Sequence, residues 1–369
     1  MNFGLTEEQL LLQEQIRRFV ADHFSSRTLR RFMEQPSAMR GHSWPTLCDF
    51  GIFRTVVIEP DDGLGLRWID LVVVMEELGR GLCPLPALSQ AISTVAIAQY
   101  AGARLKKQWL QRLMQGSFIM SPALCDAAHR SGAKTLLRGK KRGGDYMLSG
   151  TKRFVPDLTL ADGFLVAFTC DDEPEQIRLV AIEASASARA KMQPTVDRTK
   201  PTGDLELTDV LVAAENVLTL APEAFQRLLD YGALLASAEA VGAAEAALSA
   251  TVQYAKKREQ FGSAIGRFQG VKHPLANMYT EVESMKSLVY FAAWTADGDP
   301  QAFGKAVSLA KGYCSDAFNR VAIGCVDLHG AMGFTEECDI QLFLKRAKWV
   351  RPAFGDSRFH FARNATTVN

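Results

Sequence analysis

The sequence has no surplus of charge of either sign: 42 Lys and Arg stand against 41 Asp and Glu, a net charge of +1. Without a basic excess there is little to displace counterions from a phosphate backbone, which excludes a general nucleic-acid binder. It also lacks any CxxC pair. The seven cysteines, Cys48, Cys83, Cys125, Cys170, Cys314, Cys325 and Cys338, are odd in number and scattered, which excludes a disulfide framework and a zinc site and leaves buried thiols as the expectation. No stretch of ~18 apolar residues runs without a charge. The nearest, residues 232–250, carries Glu239 and Glu245 and reads as a buried bundle helix rather than a membrane span. Met1-Asn2-Phe3-Gly4-Leu5 has neither the basic nor the apolar region of a secretory leader, so a cytoplasmic protein is expected. His129 and His273 have no cysteine or acid at ligand spacing and His360 has none beyond Asp356, so no metal is expected. Tandem repeats and low-complexity tails are missing too.

What is present is 369 residues, 47% of them hydrophobic and 22% charged, enough for two or three cores of ordinary soluble composition. Thr6-Glu7-Glu8-Gln9 has the form of a capping box, which predicts a helix from Glu7 with Leu12, Ile16, Phe19 and Val20 at helical spacing. Further helical pattern covers residues 68–78, 87–100 and 105–114. After Gly116 the texture changes. Residues 145–148, 163–169 and 178–182 are apolar or β-branched runs between Gly, Asp and Pro, which is a strand signature. The basic cluster Arg138-Gly139-Lys140-Lys141-Arg142 reads as a solvated hairpin turn. From Pro222 the helical period returns, over residues 224–258, 270–296, 300–324 and 339–348. The expected organisation is an N-terminal helical domain over 1–116, a middle β domain, barrel-like, over 117–220, and a C-terminal four-helix bundle over 221–369.

Arg258-Glu259-Gln260-Phe261-Gly262-Ser263-Ala264-Ile265-Gly266-Arg267-Phe268-Gln269 resembles the R-x-Q-F-G-x-x-I-G-x-F-Q signature of flavin-dependent acyl-CoA dehydrogenases. Leu328-His329-Gly330-Ala331-Met332-Gly333-Phe334-Thr335 is similar to the L-H-G-G-x-G-F-T segment of the same family, and Glu76-Glu77-Leu78-Gly79 and Lys345-Arg346-Ala347 also look like it. The resemblance implies a tetramer of three-domain subunits that oxidises an acyl-CoA thioester to its α,β-unsaturated form, with FAD at subunit interfaces and an acceptor such as electron-transfer flavoprotein. It implies FAD contacts for Arg258, Gln260, Phe261, Gln269, His329, Gly330 and Gly333. An arginine fork suits a pyrophosphate, and glycines let a backbone come close to a cofactor.

The family's reaction needs a carboxylate to take the α-proton. Aligned on Phe334, the family's glutamate falls on Phe354, and the alternative position, on the first helix of the C-terminal domain, falls on Gly232, followed by Ala233. Neither can accept a proton. The family's T-E-P-x-x-G-S-D loop appears here as residues 125–132, and its W-I-T/S-N turn as Phe154-Val155-Pro156-Asp157. The segments that cradle a subunit's own flavin have lost their usual residues, while those that reach a neighbour's remain. Taken together, the departures imply the partner subunit of a heteromeric α₂β₂ dehydrogenase, similar to those acting on steroid side-chain CoA esters. The alternatives are a homotetramer with Asp356 as a displaced base and a flavin-free scaffold. Asp356 reads more readily as a loop cap, and Glu239 as an interhelical partner.

Overall fold

The computed structural model describes residues 4–36, 40, 41, 43–124, 126 and 137–365. Helices α1 (Glu7–His23), α2 (Ser26–Glu34), α3 (Ser43–Asp49), α4 (Trp68–Arg80), α5 (Ala87–Tyr100) and α6 (Ala103–Met114) come first. Strands β1 (Met120–Ala123), β2 (Arg138–Arg142), β3 (Asp145–Pro156), β4 (Gly163–Cys170), β5 (Glu173–Glu183), β6 (Ala188–Met192), β7 (Thr202–Val212) and β8 (Val217–Leu220) follow. Then come α7 (Pro222–Lys257), the short strands β9 (Glu259–Gln260) and β10 (Ser263–Ala264), and α8 (Gln269–Gly298), α9 (Pro300–His329), α10 (Ile340–Val350) and α11 (Ser357–Ala365). The helical, β, helical order is the one read from the sequence.

The chain divides into two compact units, each assembled from separated stretches: Met1–Arg30, Trp68–Cys83 and Ala233–Asn369 in one, Arg31–Arg67 and Pro84–Gly232 in the other. The second unit holds a mixed sheet in the order β6-β7-β3-β2-β4-β5-β8, with β1 also paired to β4. β4 is parallel to β1 and β2 and antiparallel to β5. It is buried at every position, which is why its sequence is a continuous apolar run. Gln90 fixes α5 to the start of the sheet by donating to the carbonyls of Leu113 and Phe118 and accepting from the Met120 amide.

In the first unit the capping box at α1 forms as its sequence predicts: the Gln9 amide lies 3.3 Å from Thr6 Oγ1, and the Thr6 amide 3.0 Å from Gln9 Oε1. α4 meets α7 at two glycines. A Cβ on Gly79 would lie 2.1 Å from the Glu239 carbonyl oxygen, and one on Gly242 would lie 1.7 Å from that of Glu76. Backbone therefore touches backbone where the helices cross, and only glycine permits it. Around the crossing runs a buried ionic network. Glu77 takes a bidentate contact from Arg17 at 2.7 and 3.0 Å and one from Arg80 at 2.8 Å, and Arg80 continues to Glu245 at 2.7 Å. Glu76 binds Lys286 at 2.9 Å and the Tyr290 hydroxyl at 2.8 Å. Burial pushes the Glu76 carboxyl up, against the pull of Lys286.

Two expectations need correcting. The basic cluster at residues 138–142 is strand β2, not the turn; the reversal falls on Gly143 and Gly144, both at positive φ. Four long cationic side chains on an exposed strand keep their charges in water while Gly139 lies under Phe168, where a Cβ would come within 2.8 Å. The cysteines are free thiols among the described residues, but Cys48 and Cys338 are half-buried rather than core; Cys125 lies outside the described residues. Among the described residues one helix, α7, is long and apolar enough to cross a membrane, and 78% of its most apolar window is buried inside the protein.

Candidate functional site

The residues singled out by the first motif fall on one compact device. α7 ends at Lys257, and β9 and β10 form a two-residue hairpin whose tip is Phe261 (φ 54°) and Gly262 (φ 74°). Both tip residues are left-handed, as a hairpin matching strand twist requires. The hairpin is seated on the last turn of α7: the Arg258 amide donates to the Tyr254 carbonyl and the Ile265 amide to that of Arg258, each at 2.8 Å. Gly266 lies against the Ala255 carbonyl, 3.1 Å from where its Cβ would be. Phe261 is 93% exposed and meets Phe268 edge-on at 6.0 Å. Gln269 opens α8.

Arg258 itself is exposed, and among the described residues its guanidinium has no carboxylate partner. Residues 256–272 carry Lys256, Lys257, Arg258, Arg267 and Lys272 against the single carboxylate of Glu259. Five cations beside one anion make this face attractive to a phosphate. Gln260 spends its side-chain amide locally, donating to the Glu259 carbonyl at 2.7 Å.

The second motif arrives at the same place from α9. His329 is the last residue of that helix, and its ring stacks on Tyr254 with centroids 4.3 Å apart and planes 19° apart. Its Nδ1 is 2.8 Å from the Cys325 carbonyl. Gly330 follows at φ 62°, with no atom within 4 Å of where a Cβ would stand, so its backbone is open on that side. Gly333 serves another purpose: its Cβ would fall 2.5 Å from the Val326 carbonyl oxygen, so the glycine is required by packing within the turn. Phe334, 73% exposed, and Met332 continue the apolar rim. Asp327, two residues before His329, is an exposed acid, so the cationic side of the site is the hairpin side.

The structure does not bring Asp356 to this place. Its Oδ1 accepts from the Phe359 amide at 2.9 Å, at the start of α11. The adjoining turn holds Phe354 at φ 56° and Gly355 at φ 100° and is gripped from α9 by a buried lysine. Lys311 Nζ lies 2.6 Å from Ser315 Oγ, 2.8 Å from the Gly355 carbonyl, 3.1 Å from that of Val350 and 3.3 Å from that of Arg351. Burial pulls this amine down to about 7, while four oxygens around it favour the ammonium. His360 completes the grip, with Nε2 2.9 Å from the Phe354 carbonyl and Nδ1 3.3 Å from Ser308 Oγ. Burial, with Lys311 beside it, holds the imidazole down to about 3. Lys311 and His329 are separated by 18 residues of one helix, about 27 Å at 1.5 Å per residue, so the Asp356 turn lies against the middle of α9 and the Tyr254–His329 contact at its C-terminal end.

In the other unit, Phe154 is exposed at φ 56° within a bulge of β3 and Val155 is buried. Asp157 is buried at φ 54°, accepting from Ser89 Oγ at 2.6 Å. Of the loop at 125–132 only Asp126 is described; its carboxylate is 3.1 Å from the buried Lys152 ammonium, and Cys125 and residues 127–132, His129 included, lie outside the described residues. Gly232 lies inside α7, followed by the fully buried Ala233. Glu239 is an interhelical partner, 3.7 Å from the buried Arg346 of α10, whose other nitrogen donates to the Leu82 carbonyl at 3.0 Å. Sequence reasoning passes over Tyr254 and Lys311. The first is signalled only by its place one helical turn before Arg258, the second by a lone cation within the run Ala306-Val307-Ser308-Leu309-Ala310-Lys311.

Comparison with known proteins agrees with this layout. Residues 6–117 match the acyl-CoA dehydrogenase N-terminal domain and residues 223–366 the acyl-CoA dehydrogenase C-terminal domain. The acyl-CoA dehydrogenase IpdE2 of Mycobacterium tuberculosis is 30% identical over 92% of this chain and 91% of its own length. Among solved structures, a variant of the Tcur3481-Tcur3483 steroid ACAD is 28% identical with a TM-score of 0.87, covering 98% of each chain. The ChsE4-ChsE5 complex from M. tuberculosis is 25% identical with a TM-score of 0.91, covering 100% of this chain and 99% of that one. With the hairpin, the glycine turn and both terminal domains in place, the chain belongs to the acyl-CoA dehydrogenase family, whose cofactor is FAD.

Proposed function

We propose that this chain is the subunit without a base in a heteromeric acyl-CoA dehydrogenase, an α₂β₂ assembly that oxidises the CoA thioester of a steroid side chain in the cytoplasm. The observation that carries the reading is the state of the turn at residues 354–356. Phe354 has no proton acceptor, Gly355 has no side chain, and the Asp356 carboxylate is engaged with the Phe359 amide. The steroid part is supported by the similarity to the steroid ACAD structure. The three segments 1–116, 117–220 and 221–369 are proposed as its domains, and electron-transfer flavoprotein as its electron acceptor.

The unpaired Arg258 and the open backbone at Gly330 suit the pyrophosphate edge of FAD, with Gln269 and His329 beside them and Phe261 as an apolar wall. When bound here, FAD would supply the acceptor for the hydride lost from the β-carbon. This chain's share is to orient and neutralise: the guanidinium fork opposes the phosphate charge, and the exposed rings at 261, 268 and 334 exclude water once covered. The α-proton goes to a carboxylate supplied by the partner subunit.

Two measurements test this. Arg258→Ala in the co-expressed heteromer is expected to weaken FAD retention roughly ten- to hundredfold, the loss of a charge-assisted bidentate contact, with turnover at saturating FAD falling less. Two FAD per tetramer are expected, and little on this chain alone; four tightly held FAD in a homotetramer of this chain would overturn the proposal. Asp356→Asn keeps the cap and removes basicity, so rapid-mixing flavin reduction by an acyl-CoA should stay within about twofold of wild type. A fall of orders of magnitude with FAD content intact would make Asp356 the base and the homotetramer the better reading. Absence of flavin bands from every reconstituted complex would leave the scaffold.

A further inference from the structure

Tyr254 belongs to neither motif, yet it stands at the joint between them. On one side, its carbonyl holds the Arg258 amide, so the hairpin is built on the helical turn from which the Tyr254 ring projects. On the other side, the Gly333 turn packs on His329: a Cβ at Gly333 would lie 3.2 Å from His329 Cβ. The ring stack at 4.3 Å is the contact that the hairpin side and the turn side share. The Cys325 carbonyl can only accept, so Nδ1 of His329 donates to it and Nε2 is left as the ring's available polar edge. Among the described residues the Tyr254 hydroxyl, His329 Nε2 and the Arg258 guanidinium have no hydrogen-bond partner. The histidine and arginine groups are thus left available to a ligand, while Tyr254 contributes its ring to a framework of backbone bonds and glycine packing.

We infer that Tyr254 is a positioning residue whose ring, stacked on His329, holds the Arg258 hairpin and the Gly330–Phe334 turn in one register, so that both present their polar groups to the same phosphate- and hydroxyl-bearing ligand edge. The ligand part rests on the flavin reading above; the positioning part does not. The stack can do this because it is a flat, oriented contact: sliding the hairpin relative to the turn would shear two rings that now lie 19° from parallel. A tyrosine whose hydroxyl is unused in packing also makes a clear forecast, since phenylalanine preserves the ring and removes only the hydroxyl.

The test compares Tyr254→Leu, Tyr254→Phe and His329→Phe in the full chain and in the heteromer, by hydrogen exchange of residues 258–268 and 329–335 and by FAD affinity. Tyr254→Leu should speed exchange at least about threefold in both segments, leave the sheet of the other unit unchanged, and weaken FAD roughly three- to tenfold. Tyr254→Phe should restore wild-type exchange and bind FAD within about twofold. His329→Phe keeps a ring for the stack, so exchange at residues 258–268 should stay near wild type while FAD weakens. Unchanged exchange in Tyr254→Leu, or a Phe variant as disturbed as the Leu variant, would overturn the positioning role. Loosened segments in Tyr254→Leu with FAD affinity at the wild-type value would overturn its link to the ligand. A heteromer that binds no FAD with Tyr254 intact would sink the flavin reading, and the exchange data would still decide the role of the ring.

Discussion

Gly242→Ala is expected to cost about 3 kcal/mol or more of stability, or to prevent accumulation of folded protein altogether. The added methyl would sit 1.7 Å from the Glu76 carbonyl oxygen and 2.9 Å from the Arg80 amide nitrogen, both backbone atoms of α4. No rotamer change can relieve a clash with backbone, so α4 and α7 must move apart. Separation would stretch the Arg80–Glu245 ion pair, which joins α4 to α7, and open the seam beside the buried Glu76 and Glu77 carboxylates. Gly270→Ala is the control. Nothing lies within 4 Å of its Cβ position, so it should be neutral or slightly stabilising through helix propensity. Urea unfolding of both variants measures the difference, and equal midpoints would show that the glycine crossing is not required.

The two titratable groups gripping the turn at residues 350–355 both make stability rise with pH. His360 is held down to about 3 from an ordinary 6.5. As pH falls below 6.5 the unfolded chain takes up this proton first, so the stability present above 6.5 is lost progressively down to about 3. Lys311 is held down to about 7 from 10.5. Between those values the unfolded chain again binds the extra proton, so the cost of burying this group is full below about 7 and disappears as pH rises toward 10.5. Each one-proton difference contributes at most ~1.4 kcal/mol per pH unit. His360→Gln, which can still bond the Phe354 carbonyl and Ser308, should therefore lose roughly 2 kcal/mol less than wild type between about pH 6.5 and 4.5. Parallel stability curves for the two proteins would remove His360 as the source.

How much of this is legible in the sequence depends on the distance over which each contact acts. The Thr6–Gln9 capping box, the start of α7 at Pro222 and the long helices of the C-terminal region are local patterns, and they appear where the periodicity puts them. The strands read at 145–148, 163–169 and 178–182 are there but longer, since sheet pairing carries β3 through Lys152 to Pro156 without an apolar alternation to announce it. Helices α2, α3 and α11 have no such announcement. They are short, of seven to nine residues, and helices of that length depend on packing more than on propensity. At the site, Arg258 and His329 stand out because whole motifs surround them. Tyr254, Lys311 and His360 act on partners 39 to 75 positions away, and no single-chain pattern records such pairings.

The discontinuous make-up of the first unit also bears on the birth of the protein. Residues 1–30 and 68–83 leave the ribosome early, but the rest of their unit begins only at Ala233, after the 149 residues of 84–232. At roughly 5–20 residues per second that is a wait of about 7–30 s. Throughout it, the apolar run Leu71-Val72-Val73-Val74-Met75 of α4 has only α1 from its own unit to lie against. The second unit has all its sequence by Gly232 and can close while synthesis continues. Nascent chains stalled far enough past Gly232 for β8 to clear the exit tunnel should therefore hold a protease-resistant sheet beside a protease-sensitive α1 and α4, and the N-terminal helices are where a chaperone would find something to hold.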